Sequence, residues 1–486
     1  MNMNKILKYT TLIFAVISIS CKDLLEVTPR QFLDTSVALN TQDGINAAVT
    51  SAYANLKHFN LYGRDLLAIT ESLGDDARVI NRAGGRFVSE AGNVISAHLA
   101  GWSRYYRTIN ETNLVLKALP SSNFTQAQKD GIEGEMKFLR ALLYFNLSRI
   151  YAYDPKVVVA QTSKGGVPLL LEGIDDPSQI SYPARSSIDD VYKQIYKDLS
   201  DAVAKAPLTG GPNKATKSAV NALFARVALH NQDYENAIKY ATDALAGGVG
   251  RFVGNNEYVA AWRSNSNPES IFEILFQTRQ ESLGVNDALQ SAYTTVASVS
   301  QASALAASRP TPLPVANGWG AVVPTVAFLN LHSATDVRRG LYQDGLNRSG
   351  VTVPECTKFL GKSGIVYMDN VPVIRVSEMY LIRAESFARL ANPNVANALA
   401  DLNQIRVRAG LTPFVATTST AILNEIELQR RLELAFEGHR WFDLKRWGRD
   451  VIKSTGNVPY GDTRTLAPIP NSEIIANKNI LQNAGY

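Results

Sequence analysis

Residues 215–246 read ATKSAVNALFARVALHNQDYENAIKYATDALA, and this stretch limits the fold more than any other. It has the pattern of a helical hairpin, with the turn at Asn231-Gln232-Asp233. Small residues at Ala225, Ala228, Ala237, Ala241 and Ala244 let two antiparallel helices approach closely. A related pair is expected over 376–409. Val376, Met379, Tyr380, Ala384, Phe387 and Leu390 form one stripe, and Ala398, Leu402, Ile405 and Ala409 form the other. Asn392-Pro393-Asn394 makes the turn between them.

The spacing of Ala237, Ala241 and Ala244 is that of the second helix of a tetratricopeptide repeat, a unit of about 34 residues. An ordinary helical bundle has similar spacing and remains the alternative on this pattern alone. The two pairs stand far apart in the chain, so a solenoid built from them must be interrupted by insertions. Other helices are expected from Thr41 (Ile45, Val49, Ala52, Tyr53, Leu56), over 101–119, over 126–151, and after Ser187, a capping residue followed by Asp189 and Asp190. Residues 63–100 read as irregular, with Gly74, Gly84, Gly85 and Gly92. Glu269 to Phe276 reads as a strand, and 282–330 is rich in Ala, Ser, Gly and Pro with little periodicity. A long aperiodic stretch inside a globular chain is usually functional or disordered, and Tyr293 and Trp319 weigh against disorder. Helix returns over 424–436, is interrupted by Gly438, and resumes up to Trp447-Gly448.

The N-terminus is an address. Lys5 and Lys8 precede the apolar run Tyr9 to Ile19, and Cys21 follows directly. This is the pattern of a secretory signal, and the run is too short to span a bilayer. A cysteine at that place resembles a bacterial lipobox, so lipid attachment at Cys21 is expected. Removing Lys5 and Lys8 from the 49 basic residues leaves 47 against 44 acidic ones, a net of +3. That balance argues against nucleic acid as a partner. Two cysteines, Cys21 and Cys356, exclude a disulfide framework. The expected organisation is a signal peptide over 1–20, a lipidated tether over 21–40, a helical part over 41–246, a loop-rich variable region over 247–370 and a second helical part over 371–486.

Catalytic motifs are missing. The chain has no GxSxG, no phosphate-binding GxxxxGK[ST] and no HExxH. His439 and Asp443 are four apart, but the neighbouring Arg440, Lys445 and Arg446 favour ion pairing over a metal. Glu433 and Glu437 sit beside Arg430, Arg431 and Arg440, which again suggests salt bridges on helix surfaces. Asp75-Asp76 reads as an exposed pair near glycines, fit to bind sugar hydroxyls or a cation, or to cap a turn. Cys356 reads as a buried structural thiol. No cofactor and no metal are expected.

Several long motifs together resemble the SusD/RagB family, the nutrient-binding outer-membrane lipoproteins of Bacteroidetes. The strongest runs from Arg430 to Gly448, RRLELAFEGHRWFDLKRWG. Phe138 to Phe145, Gly165 to Leu169, Ile374 to Glu385, Asn403 to Leu411 and Pro468-Ile469-Pro470 also match, in the family's order. The resemblance implies a mostly α fold, with tetratricopeptide-like helical pairs as scaffold and a loop-rich, mixed ligand-binding region inserted. It implies a lipid-anchored outer-membrane protein, facing outward, that binds an oligosaccharide and serves a TonB-dependent, SusC-like transporter without catalysis. Peptide or another nutrient as ligand, or a surface glycosidase, are the alternatives. The expected ligand contacts are Trp319 and Tyr293 from the aperiodic middle, with Trp102, Asp75, Asp76 and Arg78 from the N-terminal part. Gly318 and Gly320 flank Trp319 and are expected to leave its loop flexible and its indole exposed.

Overall fold

A computed structural model describes residues 38–486 apart from 83, 97, 309–315, 348–349 and 363. The signal segment, Cys21 and the tether as far as residue 37 lie outside the described residues. Among the described residues, no helix is long and apolar enough to cross a membrane.

Capping residues set most helix starts. Helix α1 (Gln42–Asn55) begins where the Thr41 hydroxyl accepts the Gly44 N–H at 3.0 Å. Helix α2 spans Asp65–Leu73, α3 Trp102–Ala118 and α4 Gln126–Tyr151, the last opened by a Thr125–Gln128 capping box. Ser187 caps α5 (Ile188–Lys205), with Asp189 and Asp190 in its first turn. The expected hairpin is α6 (Lys217–His230) and α7 (Tyr234–Ala246), and the second pair is α8 (Val376–Arg389) and α9 (Val395–Arg408). Helix α10 (Ser419–Glu433) starts at Thr418, earlier than its periodicity suggests, and α11 spans Arg440–Arg446. The turn between them needs left-handed backbone at Phe436 and Gly438.

These helices stack as a solenoid. α4 packs on α5, α5 on α6, α6 on α7, α7 on α8, α8 on α9, and both α8 and α9 on α10. The α7–α8 contact closes the stack although residues 247–375 intervene in sequence. Ala237, Ala241 and Ala244 are fully buried, as close helix approach requires. The architecture is therefore the expected helical scaffold with an insertion.

The irregular reading of residues 63–100 needs correction at α2. All nine of its residues are buried, so it lacks the polar face that marks an amphipathic helix in sequence. The middle region holds short elements: β2 (Ser270–Ile274), the helices Leu289–Tyr293 and Val299–Ala307, β3 (Val322–Pro324), β4 (Tyr342–Asp344) and β5 (Pro354–Cys356). With β1 (Ala77–Val79) and β6 (Val371–Arg375) they make three antiparallel two-stranded sheets, β1–β3, β2–β6 and β4–β5. The β2–β6 pair closes the base of the insertion directly onto α8.

The charged residues near the C-terminus are interior, not on helix surfaces as expected. Arg375 reaches Glu269 at 2.9 Å and Glu437 at 2.7 Å, while Arg408 reaches Glu269 and Glu433, each at 2.7 Å. Lys358 donates to Glu437 at 2.7 Å. Burial works to raise the Glu433 carboxyl, but Arg408, Arg375 and Arg338 hold it far below the usual carboxylate range. Asp443 lies between Arg430 and Arg446, and Arg446 also pairs with Glu385. This network ties strand β6 and helix α9 to the end of α10, so the insertion's base is locked to the solenoid. Cys356 is buried, and burial pushes its thiol up to about 12.

Candidate functional site

The two loop-rich segments meet on one ribbon. Strands β1 and β3 pair with Ala77 opposite Pro324, Arg78 opposite Val323 and Val79 opposite Val322. The Ile80 N–H continues the ladder to the Ala321 carbonyl at 2.8 Å. Arg78 and Trp319, from distant parts of the sequence, thereby share one structural unit.

At one end of the ribbon stands Trp319, half-buried against the main core. Its backbone is pinned. The Trp319 and Gly320 N–H groups both donate to the Ser291 carbonyl at 2.9 Å, and Asn317 N–H donates to Thr295 at 3.0 Å. The Tyr367 hydroxyl donates to the Asn317 carbonyl. The flanking glycines do not make this loop flexible. A Cβ on Gly318 would stand 1.9 Å from the Thr294 carbonyl oxygen, and Gly320 adopts φ +54° against the Glu355 carboxylate. Both are glycine because backbone and carboxylate come too close for a side chain.

Below the loop lies a fully buried ion pair. Arg82 Nη1 meets Glu355 Oε1 at 2.6 Å and also donates to the Gly320 carbonyl at 3.3 Å. Glu355 Oε2 accepts the Thr295 N–H at 2.7 Å and the Thr294 and Thr295 hydroxyls at 3.0 and 2.8 Å. Beside the indole, the Arg86 guanidinium lies 5.8 Å from the ring centroid, within cation–π range. Arg86 and Arg64 both donate to the Asn286 carbonyl at 2.5 Å, and Arg64 also pairs with Asp287 at 2.8 Å. The sequence reading missed Arg64, Arg86 and Asn286. The signal for Arg86 was its place after Gly84 and Gly85, whose φ values of +62° and +88° make the turn that delivers it.

At the other end, Asp75 and Asp76 are not the exposed pair expected. Arg440 grips Asp75 through two hydrogen bonds of 2.7 and 2.8 Å, and Arg431 bonds Asp76, which is fully buried. Burial works against ionising Asp75, but Arg440 and Arg431 hold it below its ordinary value. Burial raises Asp76 to about 6, and behind it raises Glu71 to about 8. The pair latches the N-terminal part to the C-terminal motif. Arg78 is exposed and lines a cleft of about 400 Å³ with Val79, Val88, Ile452 and Lys453. The Lys453 ammonium donates to Ser72 and Ala91 carbonyls at 2.6 and 2.9 Å and to Asn93 Oδ1 at 2.7 Å; burial lowers it to about 7.

The other two aromatic expectations also need correction. Tyr293 is fully buried, edge-on to Phe436 at 5.2 Å. It ends a short helix whose five residues are all buried, so no face is left for a ligand. Trp102 is buried between Tyr106 and Tyr151, each 4.9 Å away. Both are core aromatics. Of the expected contacts outside the latch, Arg78 is exposed, whereas Trp319 is half-buried against the core and not the exposed indole expected.

Comparison with known proteins adds the family. A model of the SusD family matches residues 342–465, and one described as starch-binding and associating with the outer membrane matches residues 23–229. A SusD-like protein from Formosa agariphila is 25% identical across 99% of both chains. A putative sugar-binding protein from Bacteroides vulgatus superposes with TM-score 0.77 at 24% identity, over 92% of this chain and 99% of that one. A laminarin-binding SusD-like protein superposes with TM-score 0.70 at 22% identity, over 92% of this chain and 100% of that one.

Proposed function

We propose that this chain, which belongs to the SusD-like family, captures an oligosaccharide at the Trp319 end of the β1–β3 ribbon and delivers it, unaltered, to a TonB-dependent outer-membrane transporter. The observation that carries this reading is the half-buried Trp319 indole on a loop pinned through its backbone, with Arg86 beside it. Sugar rings present C–H faces that stack on an aromatic plane, while guanidinium and carboxamide groups hydrogen-bond to hydroxyls. Arg86 supplies such a guanidinium beside Trp319. A rigid platform loses less entropy on binding than a mobile one. The starch-binding description of one matching family and the laminarin-binding relative favour a glycan over peptide.

A binding role without chemistry is favoured by the state of the carboxylates. Glu433 and Glu437, two carboxylates four residues apart, lie buried among basic side chains, where no glycosidic bond can be flanked. Lipid at Cys21 would hold the protein on the outer membrane, facing outward beside the transporter.

The test is a glycan titration. Starch and laminarin oligosaccharides, and a wider glycan array, are titrated into the protein and into Trp319→Ala. Loss of a stacking aromatic is expected to cost about 1–3 kcal/mol, by analogy with base stacking, or about fivefold to more than a hundredfold in affinity. A folded Trp319→Ala protein that binds as tightly as wild type would refute the placement. Mild detergent extraction that never retains a barrel protein would refute the delivery role.

A further inference from the structure

Among the described residues, the ribbon's outer edge has no strand partner; along it Val79 is half-buried and Ala77 is 5% exposed. Thr325 N–H donates to the Asp76 carbonyl at 2.8 Å and Ile80 N–H to Ala321 at 2.8 Å. In an antiparallel pair the bonded residues alternate, so residues 76, 78 and 80 turn their backbone groups toward β3. Ala77 and Val79 must turn theirs to the opposite side. Among the described residues, no backbone or side-chain group pairs with those two N–H and two C=O groups.

That edge belongs to the wall of the 400 Å³ cleft, which Ala77, Arg78 and Val79 line. The facing wall is aliphatic. Val88 is 44% exposed and Ile452 58%. The free charge here is positive. Asp75 is held by Arg440, whereas Arg78 has no carboxylate within ion-pair distance among the described residues.

We propose that this cleft docks an extended segment of a partner protein, which pairs as a strand with the outer edge of β1, buries aliphatic side chains against Val88 and Ile452, and sets an acidic side chain opposite Arg78. An unpaired strand edge beside apolar pockets is the geometry of strand addition, where main-chain bonds hold the segment and side-chain pockets select it. The edge is only three residues long, so the contact is short and reversible. It is a second site, separate from the indole platform.

The test uses the acetylated, amidated hexapeptide Val-Thr-Val-Glu-Val-Thr, fluorescently labelled, and its Glu→Lys counterpart. Wild type is expected to bind the Glu peptide at submillimolar concentration and the Lys peptide at least tenfold more weakly. Val79→Pro removes one outward N–H and none that β3 uses. It should weaken the Glu peptide about tenfold, while Val79→Thr, which keeps the N–H, should not. Arg78→Glu should reverse the preference between the two peptides. In wild type, which needs no variant to fold, amide exchange at Ala77 and Val79 should slow when the Glu peptide binds. Absence of binding, unchanged exchange at those amides, or an unreversed preference in Arg78→Glu would each overturn the proposal. Displacement of the peptide by starch or laminarin oligosaccharide would also overturn it, because the cleft would then be part of the glycan site.

Discussion

Glu355→Ala should loosen the loop that carries Trp319, and the size of the effect follows from its surroundings. Both side chains of the Arg82–Glu355 pair are fully buried. Removing the carboxylate leaves the Arg82 guanidinium uncompensated in the interior, an error that costs about 3–5 kcal/mol. It also orphans the Thr295 N–H and two threonine hydroxyls. The cost falls on the segment these groups hold, residues 291–297 and 317–325, and not on the solenoid. Native-state hydrogen exchange, read peptide by peptide, is the appropriate assay, because a chain of this size need not unfold in one step. A loss of about 3 kcal/mol in local opening free energy should speed exchange there more than a hundredfold, with α6 and α7 unchanged. The double variant Arg82→Met, Glu355→Leu should recover much of the protection, since an apolar pair of similar volume is often as stable as a buried ion pair. Wild-type exchange rates in Glu355→Ala, or a double variant no better than the single one, would refute the reasoning.

Three further outcomes are expected. Burial raises the Glu71 carboxyl to about 8, above its unfolded value, so the stability it contributes is present at low pH and is lost as pH climbs toward 8. Glu71→Gln keeps an acceptor for the Gly438 N–H, which now bonds Oε1 at 2.9 Å, and should flatten that slope. Its Tm should match wild type near pH 5 and exceed it at pH 9, by up to about 4–5 kcal/mol in free energy; parallel melting curves across this range would contradict the pKa. Gly318→Ala must displace the Thr294 carbonyl, so the Trp319 emission should shift to the red and Tm should fall. Cys21→Ala should move the protein from the membrane fraction to the soluble one or block its maturation, as fractionation and lipid labelling would show.

The helices were legible where sequence carried both a period and a cap. Thr125 with Gln128, Ser187, and the Asn231-Gln232-Asp233 turn mark ends that the structure keeps. Helix α2 was not legible, because a helix buried on every side has no polar stripe to set its phase. The site was readable only in part. Trp319 stood out, but its glycines were read as freedom when they are places of close approach to Thr294 and Glu355. Nothing local separates a glycine that bends from one that fits. Tyr293 and Trp319 share one aperiodic stretch, yet one is fully buried and the other half-buried. Three-residue strands and five-residue helices are too short to show which face is which.

The charged C-terminal motif shows why partner identity, not residue type, decides a reading. Glu433 and Glu437 with nearby arginines look like a solvated helix face, and i,i+4 spacing usually means that. Their actual partners, Arg375, Arg408 and Lys358, come from strand β6, helix α9 and the insertion. Asp76 likewise finds Arg431, 355 residues away. Such pairs are invisible to any local window, and in the interior each is costly to break from one side. They join the solenoid to the base of the insertion and to the segment carrying β1. The ribbon therefore sits on a frame whose rigidity does not depend on its own loops. On the proposed reading, substitutions at Arg86 or in the Trp319 loop should change which glycan is held while the frame stays as it is.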